Sequence, residues 1–384
     1  MSHRGRWLAG ACVSTAAAIL VATGGTLATP PHETSGSGAA DEVAVGAYLH
    51  YGSPGVTRMQ ELSRWLGGTE LRAGHTYLPG DTWSSIEGAP DSLRSWARWR
   101  GERADRLFVL NVPMLAGNEA RVPDSRVAEL LRSGARGAYD HHFNRLAKRL
   151  VGLEVPDTVI VLGWEMNGFD YTHRCRPDPE SWKRYWRRIV SAMRSVKGQR
   201  FRFDFAPNRG GDAIAWTTCY PGDDVVDVVG MDSYDQPPGE TFDDYVTQPY
   251  GLRHQVDFAR AHGKRISYPE WGLFRNGDNP DYMGNMLAWI AEHKPLYHSI
   301  TDYCPHGVWQ CGQNPRSAQV FRDFLSARHD RGLPSVFDRG GSGTVGHRGI
   351  AYGAAQLPDG YVVPGRRSQN LRRRHRRPHR RVSP

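Results

Sequence analysis

Cysteine is scarce in this 384-residue chain: there are five, and no two stand in Cys-x-x-Cys spacing. That leaves no zinc-type pairing, and no metal or other cofactor is expected. A nucleotide loop is missing too, since no Gly-x-Gly-x-x-Gly opens a helix after a strand-like run. A general basic surface is also lacking. The nine arginines of residues 365–384, with no acid among them, account for the whole net charge of +9. The body of the chain is therefore neutral, and no nucleic-acid partner is expected. Nor is there an apolar run of convincing membrane-spanning length.

The longest apolar stretch, WLAGACVSTAAAILVATGG, follows Arg4 and Arg6 and precedes Thr26-Leu27-Ala28. This order reads as an export signal over residues 1–28. PPHETSGSGAADE then reads as a linker over 29–42, and the Gly-rich and Arg-rich residues 331–384 as a disordered tail able to touch anionic cell-wall polymers. The expected location is extracellular, with the chain acting as a monomer. Export leaves Cys175, Cys219, Cys304 and Cys311, an even number suited to two disulfides. Of the three pairings, Cys175–Cys219 with Cys304–Cys311 is favoured. The first joins the loops after two successive strands, and the second closes a short loop.

Between 43 and 330, short apolar runs alternate with helical patterns. The strand-like runs are VAVGAYL (43–49), ELRAGHTY (70–77), RLFVLNV (106–112), TVIVLGWE (158–165), RFRFDFA (200–206), VVDVVGMD (225–232), RISYPEW (265–271) and HSITDY (298–303). Among the helices, residues 178–196 are clearest: Trp182, Tyr185, Trp186, Ile189, Val190 and Met193 recur at intervals of three and one. A second begins at Asn279-Pro280, and a third ends at Gly263. Eight strands that are apolar throughout, with helices between, predict parallel strands buried on both faces. The expected fold is α/β, a (β/α)8 TIM barrel over 43–330.

In such a barrel the chemistry lies at the C-terminal ends of the strands. VLGWEMNG sets Glu165 at the end of the fourth strand, and SYPEWG sets Glu270 at the end of the seventh. These two strands stand on opposite sides of the mouth. A carboxyl pair across a sugar-sized gap suits glycosidic hydrolysis, which needs one acid and one ionised nucleophile or base. Twelve Trp and 16 Tyr give ample aromatic surface for sugar rings.

These motifs and the eight βα units resemble the retaining glycoside hydrolases of clan A, and most closely glycoside hydrolase family 26, the β-mannanase family. The resemblance covers roughly residues 43–328. It implies a secreted retaining endo-β-glycanase acting on polysaccharide, most naturally β-1,4-mannan, with Glu165 as acid/base and Glu270 as nucleophile. It further implies that Tyr234, in GMDSYD, hydrogen-bonds the nucleophile, and that Trp309, in HGVWQ, floors a sugar subsite. His75, Trp164, Asn167, Asn208 and Trp271 complete the expected sugar contacts. One residue departs from the family pattern. Trp164 stands where the mannanases carry histidine, and indole offers a single N–H donor in place of two ring nitrogens. Mannan specificity is therefore less firmly implied than the carboxyl pair, and xylan, mixed-linkage and β-1,3-glycans are the alternatives, as is a non-catalytic carbohydrate-binding role.

Overall fold

The computed structural model describes residues 43–329. The expected signal (1–28), linker (29–42) and Arg-rich tail (331–384) lie outside the described residues.

The strands are β1 (Ala44–Tyr48), β2 (Ala73–Tyr77), β3 (Leu107–Val112), β4 (Val159–Leu162), β5 (Arg202–Phe205), β6 (Val228–Gly230), β7 (Ser233–Asp235), β8 (Arg265–Leu273) and β9 (Tyr297–Thr301). All pair in parallel in the order β6-β5-β4-β3-β2-β1-β9-β8, and a β6–β8 pairing closes the ring. The fragment β7 pairs with the far end of β8, Tyr234 opposite Gly272. It shares the sixth barrel position with β6, so the closed barrel has eight strands, as the sequence implies.

The sixth strand differs from its expected single run over 225–232. It is shorter, and it breaks at Met231 and Asp232 before resuming as β7. The Asp232 N–H turns to the Pro207 carbonyl (2.8 Å), and its carboxyl oxygen takes the backbone N–H of Glu270 (3.1 Å). Asp232 keeps a parallel bridge to Asn208 through its backbone, and its side chain helps to build the mouth.

Around the barrel run α1 (Gly52–Trp65), α2 (Trp83–Ile86), α3 (Pro90–Gly101), α4 (Asp124–Ala135), α5 (Asp140–Gly152), α6 (Pro179–Arg194), α7 (Phe242–Thr247), α8 (Leu252–Ala261), α9 (Pro280–His293) and α10 (Pro315–His329). The Asp178 side chain caps α6 by accepting the Ser181 N–H at 3.0 Å, and Pro179 fits its first turn. The six apolar residues predicted for one face of α6 are all buried. At ~1.5–3 kcal/mol each, their burial outweighs any propensity term. Helix α8 ends as expected at Gly263, whose φ of 63° suits glycine. The Lys264 N–H reaches the Ala259 carbonyl (2.8 Å) and the Gly263 N–H that of Arg260 (3.2 Å), a Schellman closure.

Two apolar sets result. The larger lies between strands and helices. A smaller one, including Ala73, Val109, Val159, Val161, Ala206 and Tyr297, occupies the barrel interior. Inward positions closer to the C-terminal ends of the strands are polar: His75, Asn111, Ser299 and Thr301. The barrel interior thus combines hydrocarbon with a buried Asp204–Ser267–Tyr297 hydrogen-bonded group, and turns polar toward the mouth.

Candidate active site

After Leu162 ends β4, the chain turns sharply. Gly163 has φ of 56°, and a Cβ there would collide with the Met114 sulfur. Glu165 is also left-handed, at φ 50°, an unfavourable state for a non-glycine residue and one that concentrates at functional sites. Its N–H is held by the Ala206 carbonyl at 2.8 Å, and its carbonyl takes the Gly168 N–H at 3.0 Å. These bonds fix Glu165 at the rim, where it is buried.

Glu270 arises from an irregular strand. On its way to the rim β8 carries a bulge: from Tyr268 to Trp271 it advances three residues while β9 advances two, from His298 to Ile300. A bulge re-aims a side chain, and Pro269 within it needs no ladder hydrogen bond. Both carboxyl oxygens of Glu270 accept hydrogen bonds, Oε1 from Asn111 Nδ2 at 3.0 Å and Oε2 from the Tyr234 hydroxyl at 2.9 Å. Thr301 Oγ1 lies 2.7 Å from that hydroxyl and supplies a second bond to it. Behind Asn111, its Oδ1 accepts from His75 Nε2 (2.9 Å), and His75 Nδ1 meets Ser299 Oγ (2.9 Å). With Nε2 donating, Nδ1 is the acceptor for the serine hydroxyl. Burial lowers the His75 pKa to about 4, so the ring is neutral near pH 7.

The electrostatics place both glutamates on one mouth. Burial first, then the charges of Glu165 and Glu270, push the Tyr171 hydroxyl well above its usual range. Burial, then Glu270 and Glu165, likewise raise Asp232 well above the ordinary carboxylate range. Asp232 is thus held toward its protonated form by burial and by the neighbouring charges while it holds the Glu270 backbone.

The other predicted residues divide. Tyr234 meets Glu270 as expected. Trp164 is buried beside Tyr77 and Tyr171, with ring centroids 5.6 and 5.2 Å away. Asn208 lies just past β5, its side-chain amide on Asp212 at 3.2 Å. Trp309 is half-buried in the loop after β9, its backbone N–H bound to the Asp302 carboxylate at 3.0 Å. Three expected sugar contacts sit elsewhere. His75 spends both ring nitrogens inside the barrel. Asn167 clamps the next loop, accepting the Asn208 N–H at 2.8 Å and donating to the Asn208 and Gly210 carbonyls. Trp271 faces outward, with its N–H on His298 Nδ1 (3.2 Å) and its ring 6.1 Å from Phe321 of α10.

Asn111, Ser299, Thr301, Asp232 and Tyr171 join the site without having been singled out from sequence. For the first three the signal was available: a polar residue at an inward position near the end of an otherwise apolar strand. Both expected disulfides form, Cys175–Cys219 tying the loop after β4 to the short 3-10 turn Trp216–Cys219, and Cys304–Cys311 closing the loop that carries Trp309. Among the described residues no group of three His, Cys, Asp or Glu is arranged to hold a metal ion.

A barrel of this topology with two carboxyls at the fourth and seventh strand ends defines a glycoside hydrolase. Residues 142–271, which contain both glutamates, match the family model described as glycosyl hydrolase family 26. Solved structures share the fold. The Bacillus subtilis mannanase BCman superposes with a TM-score of 0.55 at 16% identity, covering 74% of this chain and 85% of that one. The family 26 β-mannanase BoMan26A of Bacteroides ovatus gives 0.53 at 17% identity, covering 75% and 88%. No curated protein matches the sequence.

Proposed function

We propose that this β-glycanase is a retaining endo-enzyme acting on β-1,4-linked mannan, with Glu270 as nucleophile and Glu165 as acid/base. The observation that carries the reading is the double clamp on Glu270. Two donors, Asn111 and Tyr234, satisfy an ionised carboxylate and leave it oriented toward the mouth. In the first step a Glu270 oxygen forms a bond to the anomeric carbon as the glycosidic C–O bond breaks, and Glu165 gives its proton to the departing oxygen. In the second, Glu165 takes a proton from water, whose oxygen displaces Glu270 and releases the sugar with its configuration retained. The carboxyls of such a pair stand ~5–5.5 Å apart. Asn208 and Trp309 are proposed as sugar contacts, and His75 as a positioning residue acting through Asn111.

A second specificity has an observation behind it. Trp164 precedes Glu165 and packs edge-on against Tyr77 and Tyr171, which makes that wall aromatic, so another β-linked glycan is the alternative substrate. The two disulfides support an extracellular setting. The Arg-rich tail is proposed to contact anionic envelope polymers, and deletion of residues 365–384 should then lower cell-surface retention without changing turnover.

The test is reducing-end release from mannan, xylan, mixed-linkage glucan and β-1,3-glycan, with Glu270→Ala as control. Turnover fastest on mannan and abolished in the variant is expected. Absence of turnover on all four, with glycan binding retained, would make the protein a carbohydrate-binding barrel instead.

A further inference from the structure

Tyr234 bonds Glu270 from a strand that gives it little support. β7 is three residues long, and among the described residues it pairs only with β8, Tyr234 standing opposite Gly272. A short strand held on one side is a region of low local stability. Thr301 bonds the far end of the side chain, the hydroxyl, at 2.7 Å. A tilt of the ring displaces that hydroxyl more than any other atom, so the ring itself needs a brace.

The loop after β9 supplies one. The His306 ring lies 4.7 Å from the Tyr234 ring and 4.7 Å from that of Phe274, whereas Phe274 and Tyr234 are 6.4 Å apart. His306 is locked to the end of β8. Its Nδ1 donates to the Leu273 carbonyl at 2.8 Å, and its own carbonyl accepts the Leu273 N–H at 3.1 Å. A carbonyl only accepts, so Nδ1 carries a proton and the plane of the ring is set. Gly272 makes room for this approach: a Cβ there would stand 2.9 Å from the His306 carbonyl oxygen.

The rest of the loop holds His306 from behind. Asp302 Oδ1 accepts the backbone N–H groups of Val308 (2.7 Å), Trp309 (3.0 Å) and Gln310 (3.3 Å). Asn314 Nδ2 donates to the carbonyls of Pro305 and Gly307, both at 2.8 Å, and Cys304–Cys311 joins the two arms. The loop is thus ordered by bonds of its own. His306 is only half-buried, so area contributes less here than in the core, while its orientation is fixed through both side chain and backbone. Fixed orientation is what support of a reacting group requires.

We propose that His306 is a positioning residue for the nucleophile: by bracing the Tyr234 ring it keeps the tyrosine hydroxyl on Glu270 Oε2. It acts through Tyr234 alone. The inference rests on the glycanase reading, which supplies the reaction that Glu270 is oriented for.

The experiment uses the full chain and whichever of the four glycans the wild type turns over fastest. Steady-state kinetics are measured for His306→Ala, which removes ring and donor, and for His306→Phe, which keeps a ring against Tyr234. Each is also made in the Tyr234→Phe background, with circular dichroism as the folding control. His306→Ala is expected to lower kcat about tenfold with KM within about twofold, and His306→Phe to stay within about threefold of wild type. In the Tyr234→Phe background, where there is no hydroxyl to orient, His306→Ala should cost about twofold or less, a non-additivity that general loosening of the fold would not produce. Three outcomes overturn the proposal: kcat of His306→Ala within twofold of wild type, the same loss with and without the Tyr234 hydroxyl, or a loss confined to KM, which would make His306 a sugar contact. Failure of the wild type to turn over any of the four glycans would overturn the glycanase reading and this role with it, and is seen before any variant is compared.

Discussion

Tyr234→Phe is the most informative single change. It deletes one oxygen, removes the 2.9 Å bond to Glu270 Oε2 and takes from Thr301 its 2.7 Å partner. Two effects then oppose each other. A hydrogen bond to a charged group stabilises the resting carboxylate by ~1.5–3 kcal/mol, and its loss by itself would make the nucleophile more reactive. Against this, Glu270 loses the bond that fixes Oε2 while Asn111 still holds Oε1, so its carboxylate is less firmly oriented about the terminal torsion. Misplacement of a reacting atom by ~1 Å costs up to ~100-fold, and weaker stabilisation of the charged form leaves more of the enzyme protonated and inactive. Both of the latter act on the same step, so they prevail. We expect kcat to fall ~10- to 100-fold with KM within about threefold, and the acid limb of the pH–rate profile to move to higher pH. Steady-state kinetics with circular dichroism as the folding control decide it. A folded variant with kcat within twofold of wild type would refute the clamp as the source of nucleophile orientation.

Three further outcomes follow from the same structure. Asn111→Ala should lower kcat by a similar factor, and His75→Gln by less, since His75 acts on Glu270 only through Asn111; a larger loss in His75→Gln than in Asn111→Ala would contradict that order. Burial raises the pKa of Asp204 from 3.8 to about 7, despite bonds from Ser267 (2.6 Å) and Tyr297 (2.7 Å). The native state therefore holds a proton that the unfolded chain releases between those pH values, and Asp204 costs stability as pH rises through that window. The buried His75 and His173, both lowered to about 4 from 6.5, act with the opposite sign: their contribution is complete above pH 6.5 and is lost as pH falls toward 4. Asp204→Asn should thus be more stable than wild type at pH 8, by at most ~4 kcal/mol, with little difference at pH 4, as read by urea denaturation. Replacing both Cys175 and Cys219 by alanine, which opens a 44-residue separation, should cost ~4 kcal/mol against ~2.5 kcal/mol for Cys304 and Cys311, seven apart; the reverse order in thermal melts would count against loop entropy as the cause.

The barrel was legible because its strands are apolar on both faces and its helices repeat at 3.6 residues, as α6 does from Trp182 to Met193. Glu165 and Glu270 were legible because charge at the end of a buried strand is costly unless used. The supporting set was harder to read. Asn111 is one letter in RLFVLNV, and nothing local says that its amide meets a glutamate 159 positions away. His75 was noticed but assigned to the sugar, since sequence gives the residue and not the partners of its nitrogens. Trp271 could have been set aside beforehand: neighbours on a strand face opposite ways, so if Glu270 faces the mouth, Trp271 faces the helices. The division of the sixth strand into β6 and β7 was hidden because VVDVVGMD has the composition of a continuous run and nothing local marks the interruption.

The central claim is that Glu270 attacks the anomeric carbon and Glu165 manages the proton. Proton NMR of the first anomer released from a β-linked manno-oligosaccharide tests it most directly. Double displacement predicts β-product appearing first and mutarotating afterwards. Initial release of the α-anomer would mean a single inverting displacement by water, and the assignment of Glu270 as nucleophile would be wrong.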